Sequence, residues 1–259
     1  MSHSIHPFEI RRVGDHSILV CRNMETVKIG VLVPGRVQLL ELACVDILHF
    51  MSKSHLASLG LSELVVDSAP NVEISYITSS PAGESISASS NAQITATHSF
   101  KDAEVQPGKI DILLVLGWGT KGPWDQDVLD FLRDHVADDS TDVLVGSTGV
   151  YLGGDAGVLR GKSVAGPRAL QDDLKVRYEG VDFVVDRFRW VQDGRLWSGG
   201  KIAVVSERVK HVLTRFSTGS MVNCNDLVAA YALRSSHFAR PVAEIAIAMV
   251  DIGDRPRQY

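Results

Sequence analysis

Cysteine is scarce in this chain: Cys21, Cys44 and Cys224 are the three in 259 residues. An odd number at wide spacing makes neither a disulfide framework nor a metal motif. No His/Cys/Asp cluster has metal-ligand spacing, so no metal is expected. Basic residues do not dominate. Lys and Arg number 26 against 31 Asp and Glu, for a net charge of −5, which excludes the footprint of a nucleic-acid binder. No apolar run reaches the ~20 residues that span a bilayer, so no membrane partner is expected. No G-x-G-x-x-G opens a helix and no P-loop occurs, so no nucleotide cofactor is indicated. The stretch MSHSIHPFEIRRVGDHS has no apolar core, unlike a signal peptide. These absences point to a reduced, cytoplasmic protein and leave the reaction open. Repeats and low-complexity tracts are lacking too.

What is present reads as alternating strands and helices. Residues 1–26 are mixed and polar and are read as an N-terminal extension, an added strand or arm. VKIGVLV (Val27 to Val33) is a continuous apolar run that stops at Pro34-Gly35, as a strand buried on both faces does. Leu39, Leu40, Ala43, Ile47 and Met51 then recur at helical spacing. VEISYI (Val72 to Ile77) alternates as a strand, and Glu84 to Phe100 looks like a strand pair or loop. IDILLVLG and TDVLVG are two further buried strands, with an amphipathic helix over Asp125 to Val136 between them. Ser147-Thr148-Gly149 opens a helix to about Ala156, with Gly157 as its C-cap. KSVAG, FVVDRFRWVQ and RLWSGG read as strands, with Asp193-Gly194 as a hairpin turn. Val204 to Phe216, Asp226 to Leu233 and Val242 to Val250 read as helices. Such alternation predicts an α/β fold, a three-layer sandwich with a mostly parallel central sheet covered on both faces.

In open α/β sheets, sites lie beyond the carboxyl ends of the strands. Glu41 follows the first buried strand, G-W-G-T ends the next, and G-S-T-G ends the one after. A strand, a Gly-nucleophile-x-Gly turn and a helix form an elbow that exposes Ser147 at a helix N-terminus, where backbone N–H groups favour a developing anion. From pattern alone Ser147 is first of all readable as a helix N-cap, for which Ser is a preferred residue. Glu41 is readable as a first-turn carboxylate that serves the helix dipole.

Together these segments resemble the ThiJ/PfpI family of the class I glutamine amidotransferase-like superfamily, from about Val27 to the C-terminus. VGSTGVYLGGDAGVLRGKSVAGPR is similar to the family's elbow and following strand. VQLLEL, PGKIDILLVLG and RWVQDGRLWSGG agree in order. NDLVAAY…VAEIAIAMVDIGDRPRQY resembles the family's fungal branch, close to isonitrile hydratases. The resemblance implies a flavodoxin-like fold and puts the family's elbow cysteine at Ser147 and its partner carboxylate at Glu41. It implies backbone oxyanion donors at Thr148 and at the Gly117-Trp118 turn, with Trp118 lining the pocket, and a homodimer. The family's histidine falls on Pro167, so no Ser-His pair is present. Lys201 to Ser220 stands as an inserted segment within an otherwise single domain, 27–259.

Two functions are compatible with these residues. One is a cofactor-independent enzyme that moves protons on a small metabolite (hydratase, dehydratase, isomerase or cyclase), with Glu41 as acid/base and Ser147 orienting substrate or water. The other is a small-molecule-binding or regulatory paralogue without catalysis. Cys44, Arg168 and Cys224 are further pocket candidates, the cysteines being readable also as small buried hydrophobes and Arg168 as a surface residue. His98 is readable as a pocket acid/base or a strand-end residue, His211 matters only if the insert covers the pocket, and Asp155 is assigned to a solvated helix face.

Overall fold

The computed structural model describes residues 8–13, 16–21, 26–117, 122–184, 187–200 and 222–252, with backbone alone for those before 26 and for 222–223. The first two strands, β1 (Phe8–Val13) and β2 (His16–Cys21), pair with each other as an antiparallel hairpin. The chain then runs β3 (Val27–Leu32), α1 (Leu39–Phe50), α2 (Lys53–Ser58), α3 (Glu63–Asp67), β4 (Val72–Thr78), β5 (Ser85–Ser87), β6 (Gln93–Thr95), β7 (His98–Ser99) and β8 (Ile112–Val115). It continues α4 (Gln126–Ala137), β9 (Asp142–Gly146), α5 (Gly149–Asp155), β10 (Ser163–Val164), α6 (Gln171–Arg177), β11 (Asp182–Phe183), β12 (Trp190–Asp193), β13 (Leu196–Gly199), α7 (Val222–Ala232) and α8 (Arg240–Met249).

Seven strands form the central sheet in the order β12-β13-β9-β8-β3-β4-β7. All neighbours are parallel except β12 and β13. That antiparallel pair turns at Asp193-Gly194, where Gly194 takes φ +64°. The apolar strand runs are explained by two cores. Ile112 and Leu114 of β8 face α1, α7 and α8, while Leu113 and Val115 face α4 and α5. Each such side chain removed from water contributes about 1.5–3 kcal/mol. The result is the three-layer sandwich expected from the sequence. Among the described residues no helix is long and apolar enough to cross a membrane.

Some expectations need correction. FVVDRFRWVQ holds two strands, not one: β11 pairs with β10 outside the central sheet, and β12 lies at its edge. The short helices α2 and α3 carry too few turns to print a periodic pattern. Glu84 to Phe100 contains the β5–β6 antiparallel pair followed by β7. The inserted segment 201–220, its helix over Val204 to Phe216, and His211 lie outside the described residues.

Candidate functional site

The parallel strands β3, β8, β9 and β13 bring their carboxyl ends together, and the candidate residues leave from those ends. A connection of six residues separates β3 from α1, and Glu41 falls in the first turn of that helix. Glu41 is not there for the dipole alone: it is 1% exposed. Its Oε2 accepts a hydrogen bond from the Gly117 N–H at 3.1 Å, and its carboxyl is hydrogen-bonded to Ser147. Burial pushes the Glu41 carboxyl up from an ordinary 4.5 to about 7, against the lowering effect of those two hydrogen bonds. The group therefore gains and loses a proton near neutrality. When protonated it donates to Ser147 and leaves that hydroxyl free to donate onward. When ionised it accepts from Ser147.

Ser147 sits at the sharp turn between β9 and α5, with φ +49°. The residue that precedes α5 is Thr148, whose side chain makes no capping bond. Ser147 is thus an elbow residue and not the helix cap. Its N–H donates to the Gly199 carbonyl of β13 at 2.8 Å. The turn is tight enough that a Cβ on Gly149 would collide with the Val115 carbonyl, and one on Gly117 with Thr148 and the Gly149 nitrogen. These glycines allow β8 and the elbow to touch through their backbones.

Cys44 and Cys224 are both buried and hydrogen-bonded to each other. Cys224 comes from α7, and its Sγ would lie 2.6 Å from a Cβ on Gly146, the residue before Ser147. The contact with Cys44, then burial, then the charge of Glu41 push the Cys224 thiol up. Both cysteines therefore adjoin the site, Cys224 as a thiol whose surroundings oppose ionisation and Cys44 as a small buried group.

The other candidates divide. Thr148 is buried, and its Oγ1 has no hydrogen-bond partner among the described residues. The Gly117 N–H is engaged by Glu41, so it is not free as an oxyanion donor. Trp118 lies outside the described residues. Arg168 opens the turn Arg168–Leu170 after Pro167 and is half-buried; the groups that hold the Glu41 carboxyl are Ser147 and Gly117. His98 is in the edge strand β7, with β4, β3 and β8 between it and β9, and its Nδ1 bonds the Thr97 hydroxyl at 3.0 Å. Asp155 is not solvated as expected. It accepts from Trp124 Nε1 at 2.9 Å, from the Tyr178 hydroxyl at 2.8 Å and from Arg177 Nη2 at 2.9 Å. Sequence reasoning missed Gly146 and Gly199 as site residues; their signal was a glycine at the last position of each strand. Among the described residues no three His, Cys, Asp or Glu side chains are grouped to hold a metal.

A mostly parallel sheet between two helical layers, with an elbow residue bonded to a buried carboxyl beyond its strand ends, defines a flavodoxin-like α/β protein of the elbow-site kind. The chain belongs to the DJ-1/PfpI family, whose model matches residues 59–213. Ser147 lies inside that match and Glu41 precedes it. No curated protein matches the chain. It is similar in fold to a ThiJ/PfpI family protein from Pseudomonas syringae, at 18% identity and TM-score 0.61, over 90% of this chain and 78% of that one. It is similar to an AraC family transcriptional regulator from Pseudomonas putida, at 13% identity and TM-score 0.61, over 87% and 100% of the two chains. Drosophila melanogaster DJ-1beta gives 14% identity and TM-score 0.60 over 87% and 97%. At such identities the likeness concerns the fold.

Proposed function

We propose that this protein is a cofactor-independent enzyme that moves protons on a small, mostly apolar metabolite, as a hydratase, dehydratase, isomerase or cyclase. The observation that carries this reading is the buried Glu41 carboxyl, raised to about 7 and hydrogen-bonded to Ser147. A general acid/base works best when its pKa lies near the working pH. Glu41 is the acid/base, and Ser147 orients substrate or water. The Thr148 N–H serves as an anion donor, while the Gly117 N–H holds Glu41 in place.

The resemblance to the fungal branch near isonitrile hydratases supplies the reaction to test first, and with it a role in secondary metabolism. There water adds across an isonitrile: one hydrogen goes to carbon, the other to nitrogen, and an N-substituted formamide results. Ser147 stands where that resemblance puts a cysteine, so a route through a covalent thiol adduct is replaced by direct proton transfer through Glu41. The test is formation of formamides from a panel of alkyl and aryl isonitriles, with Glu41→Gln compared against Ser147→Ala. Glu41→Gln is expected to lower turnover by about 10²- to 10⁴-fold, and Ser147→Ala by less. Full turnover in Glu41→Gln overturns the acid/base role.

A second reading is favoured by Pro167, which stands where the resemblance puts a histidine and offers no base to Ser147. In it the same pocket binds a small molecule without converting it, as a regulatory paralogue. Deletion of the gene separates the two: accumulation of a metabolite supports the enzyme, and an unchanged profile supports the binding protein.

A further inference from the structure

Two buried thiols have no part in the reaction proposed above. Cys44 lies three residues beyond Glu41 on α1, on the same buried side of that helix. Cys224 reaches in from α7 and packs on Gly146, next to Ser147. The two thiols are free and in hydrogen-bonding contact. Helix α1 is therefore tied to the elbow twice: through Glu41 and Ser147, and through Cys44, Cys224 and Gly146. Thiolate is the reactive form of cysteine, and the surroundings of Cys224 oppose it, so Cys224 is not a replacement nucleophile. Tyr76 of β4 interacts electrostatically with Cys44 and with Asp46 of α1.

We propose that Cys44 and Cys224 are positioning residues for the acid/base site: their contact sets Glu41 against Ser147 and keeps water from the inner side of the carboxyl. This rests on the reading of Glu41 as the acid/base. Thiols suit the task because they fill space like small hydrophobes while keeping weak hydrogen-bonding capacity. Gly146 is part of the device, since any side chain there would displace the Cys224 sulfur.

The experiment follows the Glu41 proton directly, through the infrared carbonyl band of the protonated acid in the full-length protein, referenced to Glu41→Gln. Cys44→Ala, Cys224→Ala and the double variant are titrated alongside. Each single change is expected to lower the Glu41 midpoint by about one pH unit or more as water reaches the carboxyl. In the double variant the second change adds less than half of its effect alone, because groups in contact are coupled. A merely structural role would lower stability and leave the midpoint in place. Unmoved midpoints in folded variants, or fully additive shifts, overturn the proposal. Should the alanine variants not fold, Cys44→Ser and Cys224→Ser pass through the same cycle under the same criterion of coupling. Coupled midpoints without turnover on any isonitrile would count against the proposed reaction and not against the thiol pair. Loss of turnover in Glu41→Gln with unmoved midpoints in the cysteine variants would count the other way.

Discussion

Glu41 on α1 is hydrogen-bonded to Ser147 at the turn between β9 and α5. The acid is nearly sealed from solvent, and the backbone N–H of Gly117 donates to its Oε2. Such an arrangement has a thermodynamic signature that can be read without knowing the substrate.

A carboxyl raised from 4.5 to about 7 on folding favours the native state below pH 4.5, and that contribution is lost as pH rises through 7. The full loss is roughly 3 kcal/mol. Glu41→Gln has no charge to bury, so it should be more stable than the parent at pH 8, by about 2–3 kcal/mol. The gap should narrow to under about 1 kcal/mol at pH 5. Urea unfolding at the two pH values checks this, and equal stabilities at pH 8 would contradict it.

His135 carries the opposite sign. It is fully buried on α4, with Nδ1 against the Phe131 carbonyl at 2.9 Å. Burial pulls its pKa below 6.5. Its contribution is present above pH 6.5 and is lost as pH falls through the lowered native value. His135→Leu should flatten the acid limb of the stability curve, measured by thermal unfolding between pH 7 and pH 5.

Gly117 admits no side chain, because Thr148 and the Gly149 backbone occupy its Cβ position. Gly117→Ala should destabilise the fold by about 3 kcal/mol or more through overpacking. Gly157 is a contrasting control: it takes φ +75° with open space around it. Gly157→Ala should cost only about 1 kcal/mol of backbone strain. Denaturant midpoints of the two variants give the comparison.

Thiol chemistry should leave the site untouched. Ser147 has no sulfur to oxidise, and Cys44 and Cys224 are buried. Native protein exposed to iodoacetamide should retain both thiols unmodified, and peroxide should not shift the Glu41 midpoint. Peptide mapping after denaturation should recover alkylation at all three cysteines of the chain. Rapid native labelling of Cys224 would contradict the structure.

The architecture was legible in the sequence because parallel strands buried on both faces print uninterrupted apolar runs. Val27 to Val33 and Ile110 to Gly117 are of that kind. Amphipathic helices such as α4 show their 3.6-residue period. The elbow was legible only as an ambiguity. G-S-T-G suits a cap as well as a nucleophile turn, and the positive φ of Ser147, with Thr148 at the cap position, separates the two. Glu41 could be named from its place after β3, but its state depends on burial by residues distant in sequence. Asp155 misled because a charged residue on a helix ordinarily faces water. Its partners Trp124, Arg177 and Tyr178 come from other elements. The cysteine contact was out of reach, since it depends on how α1 and α7 pack.

The left-handed turn at position 147 carries one more consequence. An ordinary L-residue in that conformation costs about 1 kcal/mol, and glycine is almost exempt. Ser147→Gly should therefore relax the backbone while deleting the hydroxyl that meets Glu41. If the sturdier molecule turns out to be the idle one, the local discomfort of a serine is the toll this fold accepts for keeping an oxygen at its elbow.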